Sequence, residues 1–381
     1  MIYKAFQDLQ LSQLGFGTMR LPLREDKSID EELAAAMTDA AIRQGVNYFD
    51  TAWPYHSGKS ETVIGKILQN YPRESFYLAD KFPGHQIAPT YDVADIFERQ
   101  LKKCGVEYFD FYLLHNVYEN SIGVYEDARW NIIPYLLEQK KNGRIRHLGF
   151  STHAGLPALE QFLQRHGEEM EFCQIQLNYL DWTLQQAKEK CELLNRYNIP
   201  IWVMEPIRGG KLANLPESMT AELRAMRPEA SAASWALRWV QQIPGVTMIL
   251  SGMSDLAQME DNLSFMTDFK PLNEEEMEAV RKVQEIFRSK QLIPCTSCRY
   301  CIDGCPQHIS IPDLFAAMNA KQIHHDWNAN YYYGIYTAPG GKASDCLKCG
   351  KCEKVCPQHL PIRELLEQVA AEFEKKEEPK A

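Results

Sequence analysis

Short apolar runs alternating with helical patterns eight times over predict an α/β fold, a closed (β/α)8 TIM barrel. Charged or polar residues stand at the exits of three consecutive runs, the rim where such a barrel carries its chemistry. Eight of the 11 cysteines follow the last run in two evenly spaced groups, which predicts a second, smaller domain. A chain of 381 residues has room for a barrel of ~250 residues and such a module.

The first strand is expected at residues 14–19, where Gly15 and Gly17 mark a close backbone approach by a ligand. Asp30 starts a helix that Gly45 stops, and the buried run 46–49 then ends on Asp50. The chain turns through Pro54 and Gly58 into a helix at 62–68. The run 76–80 leads to Lys81, and a helix over 92–104 closes at Gly105. Strand 108–115 ends on His115. Further strands are expected at 145–151, 172–177, 201–205 and 246–251, with helices at 128–142, 157–166, 184–197, 230–241 and from Asp255. No Gly-x-Gly-x-x-Gly opens a helix after the first strand, which argues against an open nucleotide-binding sheet. The expected division is a barrel over 1–272, a helical connection over 273–290, and a cysteine-rich domain with a charged tail over 291–381.

Apolar content of 45% and charged content of 24% suit a globular protein. A net charge of -10 argues against nucleic acid and anionic membrane as partners. No apolar run reaches ~18 residues and no signal-peptide pattern follows Met1, so a cytoplasmic location is expected. Clustered cysteines in such a chain point to metal ligation, not to disulfides.

Asp50, Tyr55, Lys81 and His115 have the residue types for protonating a carbonyl oxygen while its carbon gains a hydride. A tyrosine with an ordinary pKa of ~10 keeps its proton at neutral pH yet can give it to a developing alkoxide. A neighbouring ammonium, here Lys81, is expected to lower that pKa, and Asp50 to keep the ammonium charged and in place. His115 can polarise the carbonyl from the other side.

The stretch Asp50-Thr51-Ala52-Trp53-Pro54-Tyr55-His56-Ser57-Gly58-Lys59-Ser60-Glu61, with Lys81 and His115 at later strand exits, resembles the aldo-keto reductase family. The resemblance covers about residues 1–270 and implies an NAD(P)H-dependent carbonyl reductase or alcohol dehydrogenase. It implies cofactor contacts from Gly17, Thr18 and Met19, and amide contacts to nicotinamide from Ser151 and Gln174. Thr152 stands where the family usually has asparagine, and Met204 replaces the aromatic ring that stacks on nicotinamide; a thioether can still pack on a flat ring. Gly252, Ser254, Gln258 and Asn262 fall at the adenosine phosphate site. Gly252 and Gln258 occupy positions where NADP-preferring members carry lysine and arginine, so NADP and NAD both stay open. Trp53, His85, Tyr118 and Arg208 are candidate contacts for a small carbonyl or alcohol substrate.

Cys295-x2-Cys298-x2-Cys301-x3-Cys305-Pro306 is repeated 51 positions later as Cys346-x2-Cys349-x2-Cys352-x3-Cys356-Pro357. Three thiolates of such a run cap one iron–sulfur cube and the fourth reaches the other cluster. Cys295, Cys298, Cys301 and Cys356 would hold one [4Fe-4S] cluster, and Cys346, Cys349, Cys352 and Cys305 the second. The segment resembles bacterial two-cluster ferredoxins over roughly residues 290–370, in their more helical form, with helices expected at 312–321 and 361–373. Structural zinc, which favours pairs of cysteines over triplets, is the alternative. His308 and His359 are expected to pack or start helices. Between the runs, His324, His325, Trp327 and Tyr331, Tyr332 and Tyr333 are expected to shield the clusters or, alternatively, to shape a substrate pocket.

Together these readings suggest an oxidoreductase whose barrel moves a hydride and whose clusters exchange electrons with a redox protein partner. Two alternatives stand beside it: structural or redox-sensing clusters, or a silent barrel in an electron-transfer subunit. A hydride carries two electrons and a cluster one, and no strong flavin motif supplies a converter.

Overall fold

The computed structural model describes residues 1–86, 90–268, 270–290, 292–324 and 328–374. Strands β1 (Tyr3–Phe6) and β2 (Leu9–Ser12) form an antiparallel hairpin. The eight that follow are β3 (Leu14–Gly17), β4 (Tyr48–Asp50), β5 (Tyr77–Phe82), β6 (Phe109–Leu114), β7 (Ile145–Thr152), β8 (Cys173–Gln176), β9 (Ile201–Met204) and β10 (Val246–Ser251). Each pairs in parallel with the next, and β10 returns to β3, so the barrel is closed. Strands such as β6, buried at every position, read as unbroken apolar runs because helices cover their outer face.

Local signals set the helix ends. Asp30, Asp92 and Asp255 each accept a backbone N–H three residues on, capping helices Glu31–Arg43, Val93–Cys104 and Leu256–Phe265. A cap of this kind contributes ~1 kcal/mol. Gly105 ends its helix at φ 66°, in the left-handed region that favours glycine.

The hairpin is an element the sequence did not announce. Its turn places Gln7, not glycine or asparagine, at φ 53°. Phe6 packs against Phe111, His147, Phe172 and Trp202 among the buried side chains of the barrel interior. Gly15 is a packing glycine: a Cβ there would come within 2.7 Å of Leu250 and 2.8 Å of Met248. The close approach at that position is by protein, which corrects the ligand reading.

Two compact units divide the chain: Met1–Ile207 with Ala230–Asn273, and Arg208–Glu229 with Glu274–Ala381. The expected division had placed 208–229 in the barrel and treated 273–290 as a connection. Instead, helix Glu217–Met226 packs on helix Glu274–Ser289, with Met219, Leu223, Val280 and Val283 buried. Lys282 adds an ion pair to Glu222 at 3.4 Å, and Arg227 bonds Glu276. The amphipathic stripe of helix Glu274–Ser289 needs an apolar cover, and the segment after β9 supplies it.

The second unit also contains helices Ile311–His324, Asn328–Thr337 and Ile362–Phe373. Its two cysteine runs repeat in packing as well as in spacing. Ile309, Ile311, Phe315 and Met318 are buried, and so are Leu360, Ile362, Leu366 and Val369, each 51 positions on. His308 and His359 take the same left-handed backbone and donate their N–H groups to Cys305 and Cys356, matching turns that precede each helix. Tyr333 is buried and stacks on Phe373 at 4.6 Å, whereas Tyr331 and Tyr332 are exposed. His325 and Trp327 lie outside the described residues, as do the side chain of His324 and the charged tail from 375 onward.

Candidate active site and cysteine-lined cavities

The C-terminal ends of β4, β5 and β6 bring four side chains together. Asp50 closes β4, Tyr55 starts the short turn after it, Lys81 lies near the end of β5, and His115 follows β6 directly. Lys81 Nζ donates to Asp50 Oδ1 at 2.5 Å and to the Thr51 carbonyl at 2.7 Å. The ammonium lies 5.1 Å from the centroid of the Tyr55 ring, and that ring meets His115 edge-on at 6.0 Å. All four are buried. Glu61, the last residue of the same stretch, turns away from this group. It takes Lys103 at 2.6 Å and Gln100 at 3.0 Å, which joins helix Ser60–Leu68 to helix Val93–Cys104.

Burial dominates the electrostatics. It raises the Asp50 pKa, and the Lys81 ammonium opposes the rise. The Tyr55 phenol is pushed well above its ordinary range, first by burial and then by Asp50, Glu205 and Asp80, with Arg20 opposing. The expected lowering by Lys81 is therefore outweighed: loss of solvent comes first, and the Asp50 carboxylate adds to it. His115 is held neutral well below its ordinary range by burial, with His85, Lys81 and His153 adding. The His85 ring lies 4.1 Å from that of His115, and burial lowers its pKa to about 4.

These imidazoles make acid sensitivity a property of the mouth. His85 has a folded pKa of about 4 against an ordinary 6.5, so between those values the unfolded chain binds more protons. Stability is then fully present above pH 6.5 and is lost as pH falls through that window. Urea melts at pH 7 and pH 5 are expected to show a lower midpoint at pH 5, and His85→Gln to remove part of the difference.

On the far side of the mouth, Ser151 on β7 pairs in register with Gln174 on β8, and Gln176 pairs with Met204 at the end of β9. Ser151 Oγ accepts the Asn116 backbone N–H at 2.8 Å. Gln174 is buried with Oε1 unpartnered, a polar atom left for something outside the described chain. Thr152 is committed to the protein: its hydroxyl donates to the Val117 carbonyl at 2.6 Å and accepts from Ala154 at 2.9 Å. Asn116, which sequence reading missed, sits at φ 53° beside His115 and accepts from the His153 backbone at 3.2 Å.

The region after β10 meets the exit of β3. A Cβ on Gly17 would lie 3.6 Å from the Ser251 carbonyl, and Asn262 is buried and donates to Ser251 Oγ at 3.1 Å. Thr18 hydrogen-bonds the Asp50 carbonyl and Ser60, so its hydroxyl braces the mouth, while Met19 is half-buried. Ser254 donates to the Arg20 carbonyl at 2.9 Å. Gln258 accepts from the Ser254 N–H and donates to Asp255. The cation here is Arg20, whose side chain runs alongside Gly252 and ends 3.6 Å from Glu205. The basic residue following Gly17 by three positions was its only signal in sequence.

Of the candidate substrate contacts, His85 is against His115 and Tyr118 is buried. Trp53 is covered by Lys103 at 4.1 Å and Arg99 at 4.9 Å. Arg208 is fully buried, stacks on Phe287, and donates to the Pro294 carbonyl at 3.0 Å. That hydrogen bond ties it to the chain just before Cys295.

Two cavities in the second unit are each lined by four cysteines. Cys295, Cys298, Cys301 and Cys356 line one; Cys305, Cys346, Cys349 and Cys352 line the other. Each cavity thus takes three thiols from one run and the last thiol of the opposite run. Among the described residues no three His, Cys, Asp or Glu side chains are gathered closely enough to hold a single metal ion. The backbone fits an anionic guest as well. Ser297 and Arg299 adopt positive φ, as do Lys348 and Gly350 at the equivalent positions. Alternation of this kind turns successive N–H groups inward as an anion nest, and Ser297 N–H donates to Cys295 Sγ at 3.4 Å. Non-glycine residues held there cost ~1–3 kcal/mol each, a strain retained where a site demands it.

Two families of known proteins match the chain. Residues 13–285 match the model of the aldo/keto reductase family, and residues 294–360 match a 4Fe-4S dicluster domain. The chain belongs to the aldo/keto reductase family and carries an iron–sulfur domain at its C-terminal side. It is 24% identical to the uncharacterized oxidoreductase YqkF of Bacillus subtilis over 74% of this chain and 96% of that one. It is 23% identical to the NADH-specific methylglyoxal reductase of Escherichia coli over 68% of this chain and 90% of that one. Among solved structures, the holo form of the aldo-keto reductase AKR11C1 from Bacillus halodurans superposes with a TM-score of 0.58. That match is at 26% identity, over 74% of this chain and 96% of that one. No described helix is long and apolar enough to cross a membrane.

Proposed function

We propose that the barrel is a nicotinamide-dependent carbonyl reductase and that the second unit holds two [4Fe-4S] clusters which exchange electrons with a protein partner. The observation that carries the first half is the Asp50–Lys81 contact beneath Tyr55, with His115 facing the same ring. Ser151, Gln174 and Met204 would hold the nicotinamide, and the unpartnered Gln174 Oε1 suits its amide N–H. When bound in reduced form, the cofactor supplies a hydride to the carbonyl carbon. Neutral His115 donates an N–H to the carbonyl oxygen and orients it. Tyr55 gives its phenolic proton to that oxygen as charge develops, because an alkoxide is the stronger base even against a raised phenol. Lys81, fixed by Asp50, then stabilises the phenolate, and solvent restores the proton.

Residues 252–262 contain Asp255, Glu260 and Asp261 and no lysine or arginine, and Gln258 is engaged by Asp255. A phosphate pocket of that charge supports NADH over NADPH, with Arg20 beside Gly252 at its edge. The Escherichia coli relative, NADH-specific by name, is in line with this. Eight crossed thiols support two clusters in the second unit, and exposure of one of them supports exchange over a purely structural role.

An anaerobic titration tests the whole reading. With a panel of aldehydes and ketones, NADH is expected to be consumed with a lower KM than NADPH. The clusters should stay oxidised under NADH alone and take one electron each from dithionite. No nicotinamide consumption with any carbonyl would remove the reductase. Iron below one atom per chain would remove the clusters.

A further inference from the structure

The two cysteine cavities are unlike in burial. In the first, Cys295 is 8% exposed, Cys301 8% and Cys356 9%, and Cys298 alone is half-buried. In the second only Cys352 is buried; Cys305 and Cys346 are half-buried and Cys349 is exposed. Leu347 lines that cavity with Cys349 and is 61% exposed, and Val355, 41% exposed, lies one turn on from Lys351 at the end of the short helix Lys351–Lys354.

Charge differs in the same sense. Residues 346–363 carry Lys348, Lys351, Lys354 and Arg363 against a single acid, Glu353, on a chain whose net charge is -10. The equivalent stretch 295–312 carries Arg299 and Asp303 and is balanced. Arg363 is neutralised by Glu353 at 2.7 Å. Lys348 meets Glu367 at 2.5 Å, but both are more than half exposed, and water screens such a pair heavily. Among the described residues Lys351 has no carboxylate partner. Leu347 and Lys351 thus border the cavity with the exposed Cys349 thiol, and Lys354 and Val355 continue the same patch one helical turn on from Lys351.

We infer that the second cavity's cluster is the point where electrons enter or leave, and that Leu347, Lys348, Cys349, Lys351, Lys354 and Val355 dock a small acidic one-electron carrier protein. The inference rests on the proposed clusters and adds which one faces the partner and what partner suits it. In each encounter one electron leaves the reduced cluster and one is gained by the carrier; no bond or proton moves. Opposite charge steers such an encounter and makes its rate fall with salt, while the apolar spot gives a dry centre to the contact.

The experiment uses the holoprotein reduced with dithionite, an acidic ferredoxin as acceptor, and stopped-flow absorbance. The parent is expected to transfer electrons at a rate that falls as salt rises. K351E/K354E is expected to be ~tenfold slower or more at low salt and to lose that salt dependence. Its iron content and nicotinamide turnover should equal the parent's: Lys351 borders the second cavity, but neither lysine is among the eight thiol ligands and both side chains are exposed. A separate readout is EPR relaxation of the reduced clusters by an uncharged dysprosium chelate, which should act on one signal far more than the other. In Cys356→Ser, which keeps only the second cluster, the surviving signal should be the sensitive one.

A charge-reversal variant with the parent's rate and salt dependence overturns the docking face and leaves the cluster reading intact. A surviving signal that the chelate does not reach overturns the exit assignment. Self-association of the parent that K351E/K354E abolishes, with transfer to ferredoxin unchanged, would give the face to a second copy and overturn the carrier. Absence of iron from the parent overturns the inference by removing the reading beneath it.

Discussion

Tyr55→Phe is expected to lower kcat for carbonyl reduction by roughly 100- to 10,000-fold while nicotinamide binding stays near the parent's. The substitution removes one oxygen and keeps the ring, so the packing against His115 at 6.0 Å and against Lys81 at 5.1 Å survives. Among the described residues no neighbour is placed to take over. Lys81 already spends its protons on Asp50 and the Thr51 carbonyl, and donating one would leave Asp50 beside a neutral amine in a buried site. His115 is held neutral, so a proton lost from it would have to come from an imidazole and not an imidazolium. The parent itself should show no alkaline loss of activity below pH 10 from this group, because its folded pKa lies well above that value. Steady-state kinetics over pH 6 to 10, with kcat and KM resolved, check both statements. A phenylalanine variant as fast as the parent would leave the barrel without its acid.

The second large effect belongs to the cysteines. On the proposed ligation, Cys356→Ser should remove the cluster assigned to Cys295, Cys298, Cys301 and Cys356 and spare the one assigned to its near neighbours in sequence. Iron and acid-labile sulfide are expected to fall by about half. A double variant then separates crossed from sequential ligation. Adding Cys295→Ser to Cys356→Ser should cost no further iron, whereas adding Cys346→Ser should remove nearly all of it. Sequential ligation would give the opposite pair of results. The losses should also unfold part of the module, since Cys295, Cys301, Cys352 and Cys356 lie inside its apolar core and cluster binding is folding free energy there.

Features encoded by neighbours along the chain were legible before any coordinates. Asp50, Lys81 and His115 stand at strand ends that apolar runs mark directly, because a strand buried on both faces leaves an unmistakable apolar run. The helix starts at Asp30, Asp92 and Asp255 were equally plain, since a cap is a contact of three residues' reach. The 51-residue repeat of the cysteine runs announced itself through spacing alone.

What the sequence by itself determined was therefore the order of strands and helices, the residue types at the strand exits, and two ligand-bearing repeats. Only the tertiary structure decided which distant residues share a surface. Arg20 reaches Gly252 and Glu205 from the other end of the barrel sequence, and Asn116 joins Ser151 across β6 and β7. Helix Glu217–Met226 left the barrel's compact unit because its apolar stripe matched that of Glu274–Ser289. The Tyr55 phenol was raised where its lysine neighbour alone predicted a fall. Proton affinity depends on how much water is excluded and on every charge within reach, and both are set by closure of the whole barrel. The residues nearby in sequence do not fix either.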